Sequence, residues 1–69
     1  MQELKLRDDY IKLGQALKAA GMVSSGIDAK IVIKEGMVTV NGKTELQRGK
    51  KLYNGDLVEF QGEVVRIVE

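Results

Sequence analysis

Apolar positions along this chain change their period several times, and each change marks an element. Glu3-Leu4-Lys5-Leu6-Arg7 alternates polar and apolar, which predicts a half-buried strand with Leu4 and Leu6 turned inward. Asp8-Asp9 breaks it. From about Lys12 to Ala20 the set Leu13, Ala16, Leu17 and Ala20 recurs at i, i+3, i+4 and i+7, one stripe of a helix. Gly21 then stands where a left-handed C-terminal residue is wanted. Ser25-Gly26-Ile27-Asp28 has the S-x-x-D spacing of a capping-box start, with Ser24 as the competing cap. A second helix is therefore expected to run to about Glu35 and stop at Gly36. Ala29 and Ile33 share its inward face, with Val32 nearby; Lys30 and Lys34 lie one turn apart on its outward side.

After Gly36 the period falls to two. Val38 and Val40 alternate with Met37, Thr39 and Asn41, a strand pattern, and Asn41-Gly42 is a strong hairpin signal because both residues tolerate the positive φ of a type I′ turn. Tyr53-Asn54-Gly55-Asp56 predicts another turn before a short strand, Leu57 to Phe60. Gln61-Gly62-Glu63 turns once more into Val64–Val68. Strands at both termini are placed to pair, which would tie down ends that otherwise fray. The expected fold class is α+β: two adjacent short helices packed on one side of a small, mostly antiparallel sheet. A chain of 69 residues allows one domain, 1–69.

Composition removes several chemistries. With no cysteine there are no disulfides, thiolate nucleophiles or zinc-thiolate sites, and with no histidine the commonest general base and transition-metal ligand are missing. Ser24 and Ser25 have no partner to activate them. Asp8 and Asp9 point in opposed directions if extended, a poor acid–base pair, and the acids near the C-terminus are spread over turns. No catalytic residue, cofactor or metal site is expected. The N-terminus lacks the apolar run of a signal peptide, and no apolar stretch approaches the ~20 residues that span a bilayer. A cytoplasmic protein without membrane association is expected.

A formal net charge of +1 hides a separation of signs. Lys12, Lys18, Lys30 and Lys34 stand against Asp28 and Glu35. Lys43, Arg48, Lys50 and Lys51 stand against Glu45 alone, whereas Asp56, Glu59, Glu63 and Glu69 stand against Arg66 alone. Local potential steers a polyanion more than net charge does, so the middle of the chain is the candidate basic face. The plain alternative is an ordinary solvated surface.

The order Lys12-Leu13-Gly14-Gln15-Ala16-Leu17, Ala20-Gly21-Met22-Val23-Ser24-Ser25, Ala29 and Ile33, Gly36-Met37-Val38-Thr39-Val40-Asn41-Gly42-Lys43 and Gly55-Asp56 resembles the S-four RNA-binding domain, or αL motif. The resemblance covers roughly residues 10 to 60. Lys30 with Arg48-Gly49-Lys50-Lys51-Leu52 is similar to the small stand-alone YaaA-type members. It implies a non-catalytic module that binds structured RNA, ribosomal or tRNA-like, through the second helix and the adjoining loop. The implied context is ribosome-associated and bacterial-type, the implied state a monomer.

On that resemblance the candidate RNA-binding residues are Lys12, Lys30, Lys34, Lys43, Arg48, Lys50 and Lys51. The chain departs from the family pattern at Lys12 (commonly arginine), Gly14 (aspartate), Gln15 (lysine), Gly26 (arginine after the serine) and Ile31 (commonly basic). Lys43, Arg48, Lys50 and Lys51 offset the missing contacts, since each neutralised phosphate adds a counterion-release contribution.

Each candidate also has a duller reading. Lys30 and Lys34 fit a solvated helix face. Arg48 fits either a donor to a loop carbonyl or a fork on a phosphate. Gly36, Gly42 and Gly55 fit conformational roles, Asn41 its turn and Phe60 the core, which leaves Tyr53 as the aromatic to test for base stacking. Two other functions compete. One is a protein-interaction module that docks its basic face on an acidic partner in a larger assembly such as the ribosome. The other is a small β-grasp carrier, which fails because the chain ends Ile67-Val68-Glu69 rather than Gly-Gly.

Overall fold

A computed structural model describes residues 1–69. Its elements, in chain order, are β1 (Gln2–Lys5), β2 (Ile11–Lys12), α1 (Leu13–Ala19), α2 (Gly26–Lys34), β3 (Val38–Val40), β4 (Lys43–Thr44), β5 (Lys51–Leu52), β6 (Leu57–Phe60) and β7 (Glu63–Val68). Five strands form one sheet in the order β1-β7-β6-β3-β4, and β2 pairs with β5 in a separate two-stranded ribbon. All pairings are antiparallel except β1 with β7, which run parallel with Glu3 opposite Arg66. This is the expected α+β architecture, and the two ends of the chain do pair. Arg66 Nη2 donates to Glu3 Oε2 at 2.9 Å across that pair, an exposed bridge worth at most about 1 kcal/mol.

The alternation read in the sequence decides which residues meet. Val38, Val40, Val58, Phe60, Val65 and Ile67 fill the inner face of the sheet, and Leu13, Ala16, Leu17, Ala29 and Ile33 cover it from the helices. Leu52 joins them from the ribbon, while Leu4 and Leu6 pack at the margin. Phe60 is core. Burial of this one cluster is the main stabilising contribution available to so short a chain.

Both two-residue hairpin loops have the mirror-image geometry that matches strand twist. Asn41 and Gly42 stand at φ 52° and 84°, and Gln61 and Gly62 at 53° and 79°. At the second helix the two serines divide the work. Ser25 is the N-cap and accepts from the Asp28 amide at 3.1 Å, while the Ser24 hydroxyl donates to the Asp28 carboxylate at 2.7 Å.

The first helix starts one residue later than its apolar period suggests. Lys12 is extended, closing β2, and the first amides of α1 turn to the loop before β5: Leu13 N–H donates to Lys50 O at 2.8 Å and Gly14 N–H to Arg48 O at 3.0 Å. β1 likewise ends at Lys5, although Leu6 N–H still donates to Val68 O at 2.7 Å.

Candidate nucleic-acid interface

The ribbon β2–β5 is the centre of the basic surface. Its register sets Ile11 opposite Leu52 and Lys12 opposite Lys51. Residues directly opposite in an antiparallel pair share a face. The apolar pair therefore turns toward the core, where Leu52 is fully buried, and the two lysines turn outward together. Lys51 Nζ lies 4.8 Å from the centre of the Tyr10 ring, within cation–π range. Tyr10 in turn stands against Tyr53, with ring centroids 6.1 Å apart and planes tilted by 52°. Tyr53 thus belongs to a two-ring cluster whose other member, Tyr10, sits 43 residues away in sequence.

Shallow clefts flank the ribbon. One, of about 360 Å³, lies between α1, the start of α2 and the loop before β5, and is lined by Lys12, Gly14, Gln15, Lys18, Gly26, Arg48 and Gly49. It contains three cations, no acid and no apolar side chain. The other, of about 440 Å³, is lined by Val40, Asn41, Lys43, Glu45, Lys50, Lys51, Tyr53 and Asp56. The structure thus brings Lys12 together with Arg48, and Lys43 together with Lys50 and Lys51; the cross-strand pair Lys12–Lys51 joins the two groups. None of these cations is held in a salt bridge, the one ion pair of the chain being Arg66–Glu3.

Lys30 and Lys34 stand apart from both clefts. They share an exposed stripe of α2 with Ile27 and Ile31, at the spacing i, i+3, i+4, i+7 from Ile27 to Lys34. Ile27 is 73% exposed and Ile31 49%. Lys18 is the opposite case. It lines the first cleft yet lies outside the sequence-derived set, and the signal that would have found it is its position one turn beyond Gly14 on the same helix face.

The second cleft owes its floor to a hydrogen-bonded knot. Asn41 Nδ2 donates to Asp56 Oδ1 at 3.0 Å, and Asn41 Oδ1 accepts from the Leu57 amide at 2.9 Å. Asp56 Oδ2 accepts from the Tyr53 amide at 2.7 Å. Asn41 therefore does more than serve its own turn: it fastens the β3–β4 hairpin to the turn that carries Tyr53. No cluster of acidic side chains able to hold a metal ion is present, and no helix is long and apolar enough to cross a membrane.

A small α+β domain, with two helices on a sheet and a basic ribbon beside them, is the class this geometry defines. A profile of the S4 domain matches residues 4–68, and the chain belongs to the S4 domain family. It is 42% identical over 59 residues, 86% of this chain and 83% of the relative, to a Bacillus subtilis protein named for ribosome maturation, RlbA. It is 39% identical over 59 residues to YbcJ of Escherichia coli, named for RNA binding, with 86% of this chain and 84% of the relative covered. The solution structure of YbcJ, described as revealing an αL motif involved in RNA binding, superposes with a TM-score of 0.77 at 36% identity and covers 100% of this chain and 89% of that one.

Proposed function

We propose that this chain is a non-catalytic RNA-binding module that grips structured RNA by its phosphate backbone. The observation that carries the reading is the register of the β2–β5 ribbon, which sets Lys12 directly opposite Lys51. Like charges placed so are locally unfavourable, and a polyanion across them relieves the repulsion while releasing counterions. Lys18 and Arg48 extend the positive strip on one side, Lys43 and Lys50 on the other. The name of YbcJ and the description of its structure support RNA as the partner class, and the name of RlbA supports a ribosomal setting.

Ribosomal or tRNA-like RNA, met free or within a ribosomal particle, is the proposed target, with the cytoplasm as the place and a monomeric single domain, 1–69, as the state. Structured RNA is favoured over single strands because the exposed rings near the strip, Tyr10 and Tyr53, already pack on each other and offer little stacking platform. Fluorescence anisotropy with a labelled ribosomal RNA hairpin tests the reading. Saturable, salt-sensitive binding is expected, and absence of binding at low salt contradicts it.

A second reading rests on α2. Ile27 and Ile31 stand exposed in alternation with Lys30 and Lys34, a mixed apolar and basic stripe that suits an acidic protein surface better than a phosphate backbone. This favours a docking role for α2 on a protein of a larger assembly.

A further inference from the structure

A glycine inside a seven-residue helix is a local concession, since glycine there is about 1 kcal/mol less favourable than alanine. Gly14 makes that concession at the second position of α1, where it is buried. A Cβ on it would lie 2.6 Å from Arg48 Cγ and 3.2 Å from Arg48 Cδ. The first distance is shorter than side chains tolerate. The aliphatic stem of Arg48 therefore crosses the bare backbone of α1. Two main-chain bonds, Leu13 N–H to Lys50 O and Gly14 N–H to Arg48 O, fix the loop that carries it.

We infer that Gly14 is a positioning residue, whose missing side chain seats Arg48 as the phosphodiester-binding fork of the cleft shared with Lys12 and Lys18. The inference rests on the RNA-binding reading and deepens it by assigning one subsite to one chemical group. The cleft suits a backbone phosphate rather than a base: three cations and the Gln15 amide converge there, with no aromatic or aliphatic wall. Arginine matches such a group with paired donors, but only if its long side chain is held in one place. Packing the stem on a glycine supplies that restraint with no acidic partner. The guanidinium makes no salt bridge in the protein and stays available to an external anion.

Gly14→Ala, Arg48→Ala and the double variant test the inference by anisotropy with a structured RNA over a range of salt. Because Arg48 is exposed, its side chain can swing away from a new methyl group, so Gly14→Ala is expected to keep the fold and lose the seat. Gly14→Ala and Arg48→Ala should then weaken binding alike, by about tenfold, the low end for a charge-assisted bond. Each should lower the magnitude of the salt slope by about 0.7–0.9, one phosphate. The double variant should bind no worse than Arg48→Ala alone and melt higher, because alanine is the better helix former once the stem is gone. A mere packing role for Gly14 would leave the salt slope unchanged. Additive losses in the double variant, or a wild-type slope in Gly14→Ala beside a reduced one in Arg48→Ala, overturn the inference and leave RNA binding standing. Failure of the wild-type protein to bind overturns the functional reading itself, and the inference with it.

Discussion

Lys12 and Lys51 are direct cross-strand partners on the outer face of the β2–β5 ribbon. Lys12 is also the residue from which α1 springs, in extended conformation and with no side-chain cap on the helix. A positive charge at that point opposes both its neighbour and the positive end of the helix dipole.

Lys12→Glu should therefore stabilise the domain while harming its function. It turns a like-charge pair into an opposite-charge one and places a carboxylate at a helix N-terminus. The two effects together come to roughly 0.5–1.5 kcal/mol, a rise in melting temperature of several degrees for a domain this small. Structured-RNA affinity should fall in the same variant. Thermal melts at low and moderate salt, beside an RNA titration, check both halves.

Gly26 offers a gain of function. The position sits at the rim of the Lys12–Lys18–Arg48 cleft, and nothing lies within 4 Å of the place a Cβ would take. Its φ lies outside the left-handed region that favours glycine. Gly26→Arg should fold normally, tighten RNA binding and steepen the salt slope by about 0.7–0.9. Anisotropy titrations at several salt concentrations measure it; unchanged affinity would mean the backbone does not pass this cleft.

Asn41→Ala should destabilise the domain by about 1–2 kcal/mol, because it leaves Asp56 Oδ1 and the Leu57 amide without their partner. Asp56→Ala breaks the same knot from the other side. The double variant should then lose less than the sum of the two, which urea denaturation of all four proteins resolves.

The α2 stripe separates the two readings of the surface. Ile27→Ser with Ile31→Ser should leave titrations of isolated RNA unchanged and weaken association with ribosomal particles in sedimentation assays. A loss of isolated-RNA affinity would instead place α2 within the RNA interface.

The frame was legible because it rests on local signals. The period-two valines, the Ser25 cap, the Asn41-Gly42 turn and the Leu13–Ala20 stripe each carry their physics within a few residues, and each formed its element. The ribbon was not legible, since two-residue strands have no period to detect and 38 residues separate the end of β2 at Lys12 from the start of β5 at Lys51. With the ribbon hidden, nothing linked Lys12 to Lys51, Tyr10 to Tyr53 or Gly14 to Arg48. Seven basic candidates could be named, but not the way they divide: five gather beside the ribbon, whereas Lys30 and Lys34 stand on the outer stripe of α2. Gly14, which departs from the family's usual aspartate, makes sense only beside the Arg48 stem.

The salt dependence of RNA binding by Lys50→Ala/Lys51→Ala tests the phosphate-grip account most directly. Loss of Lys51 removes its contact with Tyr10 but also its repulsion of Lys12, so the fold should hold, as a circular dichroism melt can verify. The account predicts weaker binding to a structured ribosomal RNA hairpin and a slope of log K against log salt reduced by roughly 1.4–1.8, two phosphates. A folded double variant that binds with wild-type affinity and slope would contradict it.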